Sequence, residues 1–94
     1  GVMYLHLGQS VAVPDDAVIG IFDLDNTSWS FRTRIFLDRA EEEGLVTEVG
    51  EDLPRAFVLC QEVGRPPMVY LTQLNAAALR RRAEEEFPPS ASSD

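Results

Sequence analysis

The sequence predicts one small α+β domain: a mainly antiparallel sheet of about six short strands with two helices, in the order βββ–α–βββ–α. Three observations carry this expectation. Ninety-four residues suffice for one domain with one core, not for two. Short apolar runs alternate with Gly, Pro and Asp turns along most of the chain, which is strand patterning. Only two stretches carry a capped helical period, and two helices cannot supply the crossovers of a parallel doubly wound sheet.

Each element follows from its residues. Met3, Leu5 and Leu7 alternate with Tyr4 and His6, a strand with one buried face. Gly8-Gln9 turns the chain into a second strand over Ser10 to Val13, and Pro14-Asp15-Asp16 makes the next turn. Ala17 to Leu24 is almost continuously apolar, with β-branched Val18, Ile19 and Ile21, and reads as a central strand covered on both faces. Ser30 is placed to cap a helix from Phe31 to Glu43, closed by Gly44, with Thr33, Phe36, Leu37 and Ala40 on its inner face. Leu45 to Val49 is a fourth strand. Ala56 to Gln61 and Met68 to Leu74 form a hairpin around Glu62-Val63-Gly64-Arg65-Pro66. Asn75 caps a last helix from Ala76 to Glu86, whose thin apolar face (Ala76, Leu79, Ala83) predicts weak docking. The domain is expected over residues 3–87, with a disordered polar tail at 88–94. Gly1 and Val2, before Met3, read as a cloning remnant.

Composition narrows the chemistry. Sixteen acids face eight basic residues, a formal net charge of −8, and every basic residue is Arg. Without Lys there is no Schiff-base or Walker-type chemistry, and the average field repels nucleic acid and anionic membranes. A local Arg patch is needed to overcome it. Lone Cys60 rules out an intramolecular disulfide and fits a reducing compartment. Lone His6 and lone Cys60 leave no nitrogen and sulfur set for structural zinc, and no cofactor is expected. No apolar run approaches the ~18 residues of a membrane helix, and no charged-then-apolar leader opens the chain.

The stretch Ile21-Phe22-Asp23-Leu24-Asp25-Asn26-Thr27 resembles the first motif of haloacid-dehalogenase-type phosphatases. Two carboxylates at a strand end can hold Mg²⁺, and one can attack phosphorus. The later basic residue, usually Lys, and the acidic pair that completes such a site have no counterparts here. Asp23 and Asp25 are therefore expected to cap a turn, with a Mg-dependent phosphatase kept only as a distant alternative. His6 reads as a solvent-facing or interface residue and Cys60 as a small buried hydrophobe.

Two features point to contact surfaces. Trp29, Phe31 and Ile35 lie off the inner stripe of the first helix, and Phe31 and Ile35 are four residues apart, forming a second stripe. A chain this small cannot bury two faces of a helix deeply, so these three residues are read as a subunit interface. Arg80-Arg81-Arg82 is followed by Glu84-Glu85-Glu86, which reads first as three i,i+4 pairs on a solvated helix and second as a phosphate patch.

Met3-Tyr4-Leu5-His6-Leu7-Gly8 and Ile19-Gly20-Ile21-Phe22-Asp23 together resemble the RemB branch of the extracellular matrix regulator RemA/RemB family. The resemblance continues through Phe36-Leu37, Ala40 to Gly44, Asp52-Leu53-Pro54-Arg55, Phe57-Val58, Val69-Tyr70-Leu71 and Leu79-Arg80-Arg81, and so covers about residues 3–82. The ordered series carries it; no single motif does.

This resemblance implies a cytoplasmic bacterial protein that controls biofilm-matrix genes, with a LytTR-like fold, no enzymatic activity and no small-molecule substrate. It also implies a homo-oligomer, ring-like in the RemA branch, that regulates transcription by binding double-stranded DNA. Where the RemA branch has basic residues before the third strand and before the hairpin, this chain has Asp15-Asp16 and Asp52-Leu53, with Arg55 nearby. The candidate DNA contacts are accordingly Arg55, Arg65, Arg80, Arg81 and Arg82. The alternative is an oligomeric protein-interaction module of the same fold that does not touch DNA.

Overall fold

The computed structural model describes residues 3–25 and 30–86. Trp29 of the expected interface, the Asn26-Thr27 end of the Asp-x-Asp motif, and the terminal segments 1–2 and 87–94 lie outside the described residues.

Six strands and two helices follow one another in the expected order. They are β1 (Tyr4–Gly8), β2 (Val11–Pro14), β3 (Val18–Asp23), α1 (Phe31–Glu42), β4 (Val46–Val49), β5 (Ala56–Cys60), β6 (Met68–Thr72) and α2 (Ala76–Glu86). The strands form two sheets where the sequence predicts one. β1 and β2 make an antiparallel hairpin, and the other four make a sheet in the order β3-β5-β6-β4. Its β3/β5 and β5/β6 pairs are antiparallel, while β4 and β6 are parallel.

Local chemistry fixes the boundaries. The Ser30 hydroxyl accepts the Thr33 N–H at 3.1 Å, and the Asn75 side chain accepts the Ala78 N–H at 2.7 Å, so both helices start where their caps predict. Gly44 ends the first helix at φ +74°, a conformation that glycine adopts without a Cβ penalty. The β1–β2 turn lies one residue later than expected: Gln9 and Ser10 bridge Gly8 and Val11, at φ +50° and +67°. Asp15–Ala17 forms a 3-10 turn whose Asp15 N–H donates to the Met3 carbonyl.

The central strand is β5, not β3. Ala56, Phe57, Val58 and Cys60 are all buried, whereas β3 is an edge strand with Ile19 and Phe22 exposed. A continuous apolar run is the signature of two covered faces, but β3 is apolar for another reason. A bulge between Val18 and Gly20 leaves Ile19 without a cross-strand partner, and Phe22 stacks on Phe57 at 4.7 Å between ring centroids.

The four-stranded sheet is the middle layer. On one face Ala56, Val58 and Cys60 pack with Leu5, Leu7 and Val13 of the first hairpin and with Ala76 and Leu79 of α2. Leu79 is fully buried, so α2 is firmly docked despite its thin apolar face. The Arg80 guanidinium adds a 2.9 Å hydrogen bond to the Ile21 carbonyl and ties that helix to β3. On the other face Phe57 and Val69 pack with Ala40, flanked by Leu37, Leu45, Val46 and Leu71.

β3 and β4 point the same way from opposite edges, so the chain between them must cross the sheet, and α1 is that crossing. Its twelve residues span about 18 Å at 1.5 Å per residue. A single helix about 10 Å wide cannot cover a face roughly 14 Å by 17 Å. The uncovered flanks of this face form the candidate site.

Candidate interaction surface around the first helix

The inner stripe of α1 is narrower than its sequence predicts. Ala40 is buried and Leu37 and Thr33 are half-buried, but Phe36 is 38% exposed. The second stripe is open as expected, with Phe31 at 75% and Ile35 at 36% exposure. Large apolar side chains therefore face water along most of the helix.

Three grooves flank the helix among the described residues: one of about 120 Å³ beside Leu37, Asp38 and Glu41, and two that share residues. The larger of these two, about 420 Å³, lies between α1 and the N-terminal ends of β4 and β6, and is floored by Leu45 and Val69 and closed by Pro66-Pro67. The smaller, about 250 Å³, lies over the Phe22–Phe57 stack and Leu59. Arg32 and Phe36 line both, so the two grooves are parts of one apolar surface wrapped around the helix.

Arg32 and Arg39 stand at the rim of the larger groove, seven residues apart and thus on one side of the helix. Both are exposed, and neither guanidinium makes a hydrogen bond or ion pair among the described residues. Glu43 is the one acid beside them in the groove lining. The larger groove is apolar in the middle with Arg32, Arg39 and Glu43 at its rim, while Asp38 and Glu41 lie along the groove on the helix's other side.

The five arginines picked out in the sequence are not brought together. Arg55 is held by Asp25, with an ion pair at 3.1 Å and Nε–H bonds of 3.2 and 3.3 Å to the two carboxylate oxygens. Arg65 lies in the hairpin loop near Glu62 at 3.9 Å. These two sit at opposite ends of β5, roughly 17 Å apart along the strand. Arg80 binds the Ile21 carbonyl in place of the expected Glu84. Arg81 is exposed and Arg82 half-buried on the same helix, across the sheet from α1.

Asp23 and Asp25 form the turn expected of them. The Asp23 carboxylate accepts the Asp25 N–H at 2.7 Å, and the Asp25 carboxylate faces Arg55. Among the described residues no three His, Cys, Asp or Glu side chains converge in the manner of a metal site. His6 is exposed on β1. Cys60 is buried, and that burial, reinforced by Glu62, pushes its thiol up to about 11, far from a reactive thiolate. Tyr70, on the neighbouring strand, is raised by the same burial.

Sequence reasoning overlooked Arg32, Arg39, Pro66 and Pro67. Arg32 and Arg39 were legible as an i,i+7 pair flanking Ile35 and Phe36, but the two prolines read only as turn residues. Their role in closing a groove depends on the parallel β4/β6 pairing, a contact between distant segments. Leu53, in the loop between β4 and β5, carries no mark of its role in sequence, yet it is 86% exposed between Asp52 and Pro54.

No helix among the described residues is long and apolar enough to cross a membrane. No family model matches the chain, and no curated protein matches it either.

Proposed function

We propose that this chain is a RemB-like regulatory protein of the extracellular matrix, a cytoplasmic homo-oligomer that works by contact and not by catalysis. One observation carries the reading: the exposed apolar surface around α1, where Phe31, Ile35 and Phe36 flank grooves left open among the described residues. Exposed apolar patches of this kind mark interaction sites. Regulation of transcription through double-stranded DNA is the output that the family resemblance implies. Weak cationic contacts from each subunit sum in an assembly, so a few arginines per copy can suffice.

A second reading, an oligomeric protein-interaction module without DNA contact, is favoured by a different observation. Arg55 is neutralised by Asp25, Arg65 lies near Glu62, and the net charge is −8.

The test has two arms. Light scattering at micromolar concentration is expected to give a mass well above 10.5 kDa; a clean monomer refutes both readings. Titration of duplex DNA at several salt concentrations then separates them. A DNA regulator binds, and log affinity falls steeply with log salt; absence of binding at low salt selects the interaction module.

A further inference from the structure

The groove beside α1 has a complementary surface on the same domain. After β4 the chain turns through Gly50 and presents Glu51, Asp52 and Leu53, all exposed, with Leu53 at 86%. This is an apolar knob next to two acids. The groove is apolar and rimmed by two arginines whose guanidinium groups have no partner among the described residues.

The knob is held in shape. With its amide oxygen turned to the loop, Gln73 accepts the backbone N–H groups of both Glu51 and Asp52. Gly50, at φ +96°, a conformation that favours glycine, lies against the amide end of the Gln73 side chain. A loop fixed before contact loses little entropy on docking.

A domain cannot insert its own knob into its own groove. Arg55, two residues past the knob, bonds the Thr72 carbonyl at the C-terminal end of β6, while Pro66-Pro67 close the groove before its N-terminal end. The length of β6, roughly 15 Å, separates them.

We infer that the groove lined by Arg32, Ile35, Phe36 and Arg39 receives the Glu51-Asp52-Leu53 knob of a second copy of this chain. The inference rests on the self-association proposed above and names its interface. Because knob and groove are different surfaces, each copy keeps one of each free. The contact therefore propagates beyond a dimer, closing into a ring or extending as a filament. Opposite charges steer the two surfaces together and like charges oppose them.

The experiment uses two charge-reversed versions of the full chain, sized by light scattering beside the unaltered protein. One carries Arg32→Glu with Arg39→Glu; the other carries Glu51→Arg with Asp52→Arg. All four positions are exposed, and circular dichroism checks that both variants fold. Each alone is expected to associate about a hundredfold more weakly than the unaltered protein, since like charges then face each other. Mixed in equal amounts they are expected to regain large assemblies, because every knob again meets a groove of opposite charge. A third variant, Leu53→Ser, weakens assembly without altering charge.

If the unaltered protein is a monomer, self-association itself fails. If it assembles and the folded variants assemble equally well alone, association stands and this interface is refuted. Weak variants that do not recover on mixing also refute the pairing of these two surfaces.

Discussion

Thr72 joins the two sheets through one hydroxyl. It is fully buried at the end of β6. Its O–H donates to the Leu7 carbonyl of β1 at 2.7 Å, and its oxygen accepts the Leu74 N–H at 3.2 Å. Thr72→Val keeps the shape and removes both bonds. A buried polar group left without a partner costs about 1–3 kcal/mol. Leu7 is 1% exposed, so its carbonyl bears close to the full cost, while Leu74 is half-buried and water recovers part of its loss. The sum is about 2–4 kcal/mol, a large part of the ~5–15 kcal/mol that holds a domain folded. For a chain of this length, each kcal/mol moves Tm by about 4–8 °C, so a fall of at least about 8 °C is expected. Urea unfolding of Thr72→Val and Thr72→Ser measures it. Serine keeps the hydroxyl and loses one buried methyl, worth about 1 kcal/mol, so any margin of serine over valine is a lower bound on the hydrogen bonds. If valine proves more stable than serine by that methyl or more, the hydroxyl does not tie the first hairpin to the sheet.

Two further outcomes follow from local geometry. Gln9 and Ser10 adopt positive φ in a two-residue hairpin turn that favours Asn-Gly. Gln9→Asn with Ser10→Gly is expected to raise Tm by about 4–8 °C, the relief of left-handed strain exceeding the added freedom of the unfolded chain by ~1 kcal/mol. An unchanged or lower Tm in a thermal scan contradicts that turn. Burial raises the Cys60 thiol from 9.0 to about 11, so its stabilising contribution is full below pH 9 and is lost as pH rises through about 11. Folded protein should show negligible thiolate absorbance at pH 9.5, and Cys60→Ala should flatten the alkaline fall in stability. Ready titration near 9 in the folded state defeats the burial argument.

The sequence carries most of the local structure because each boundary has a local cause. Ser30, Asn75 and Gly44 act within one helical turn of themselves, and their effects are readable without a fold. Leu5 and Leu7 declare the buried face of β1 by alternation alone. What the sequence conceals is which strand lies in the middle. Val18 to Phe22 looks as central as Ala56 to Cys60, since both runs are apolar and only pairing separates an edge from a centre. The same holds for the arginines. Arg55 looks available in sequence, but Asp25, thirty residues away, holds its guanidinium. Arg80 has Glu84 one turn ahead of it and reaches instead to a strand carbonyl fifty-nine positions distant. Phe36 fits the inner stripe by spacing, yet the width of one helix limits how much of that stripe meets the sheet.

That width also explains why the open surface lies around α1 and not elsewhere. The opposite face of the sheet is covered by two units, the first hairpin and α2, and its core includes fully buried Leu5, Leu7, Val58 and Leu79. The α1 face has one helix and a smaller core of Ala40, Phe57 and Val69. Shifting α1 toward β3 would cover Phe22, but it would uncover Val69 and Leu45 on the other flank. No placement of a single helix covers both flanks, so part of the apolar surface must remain open in an isolated domain. A stable contact takes about 800 Å² from each partner. The chain exposes 6384 Å² in all, so about one-eighth of its surface would meet that need. The helix, the two grooves that share residues and the arginine rim form a continuous patch of the right chemistry, with apolar groups at the centre and charge at the margin. A domain that hid Phe31 and Ile35 internally would need a second crossing helix. This chain places its second helix on the other face, so the proposed self-association is the contact that would cover the first.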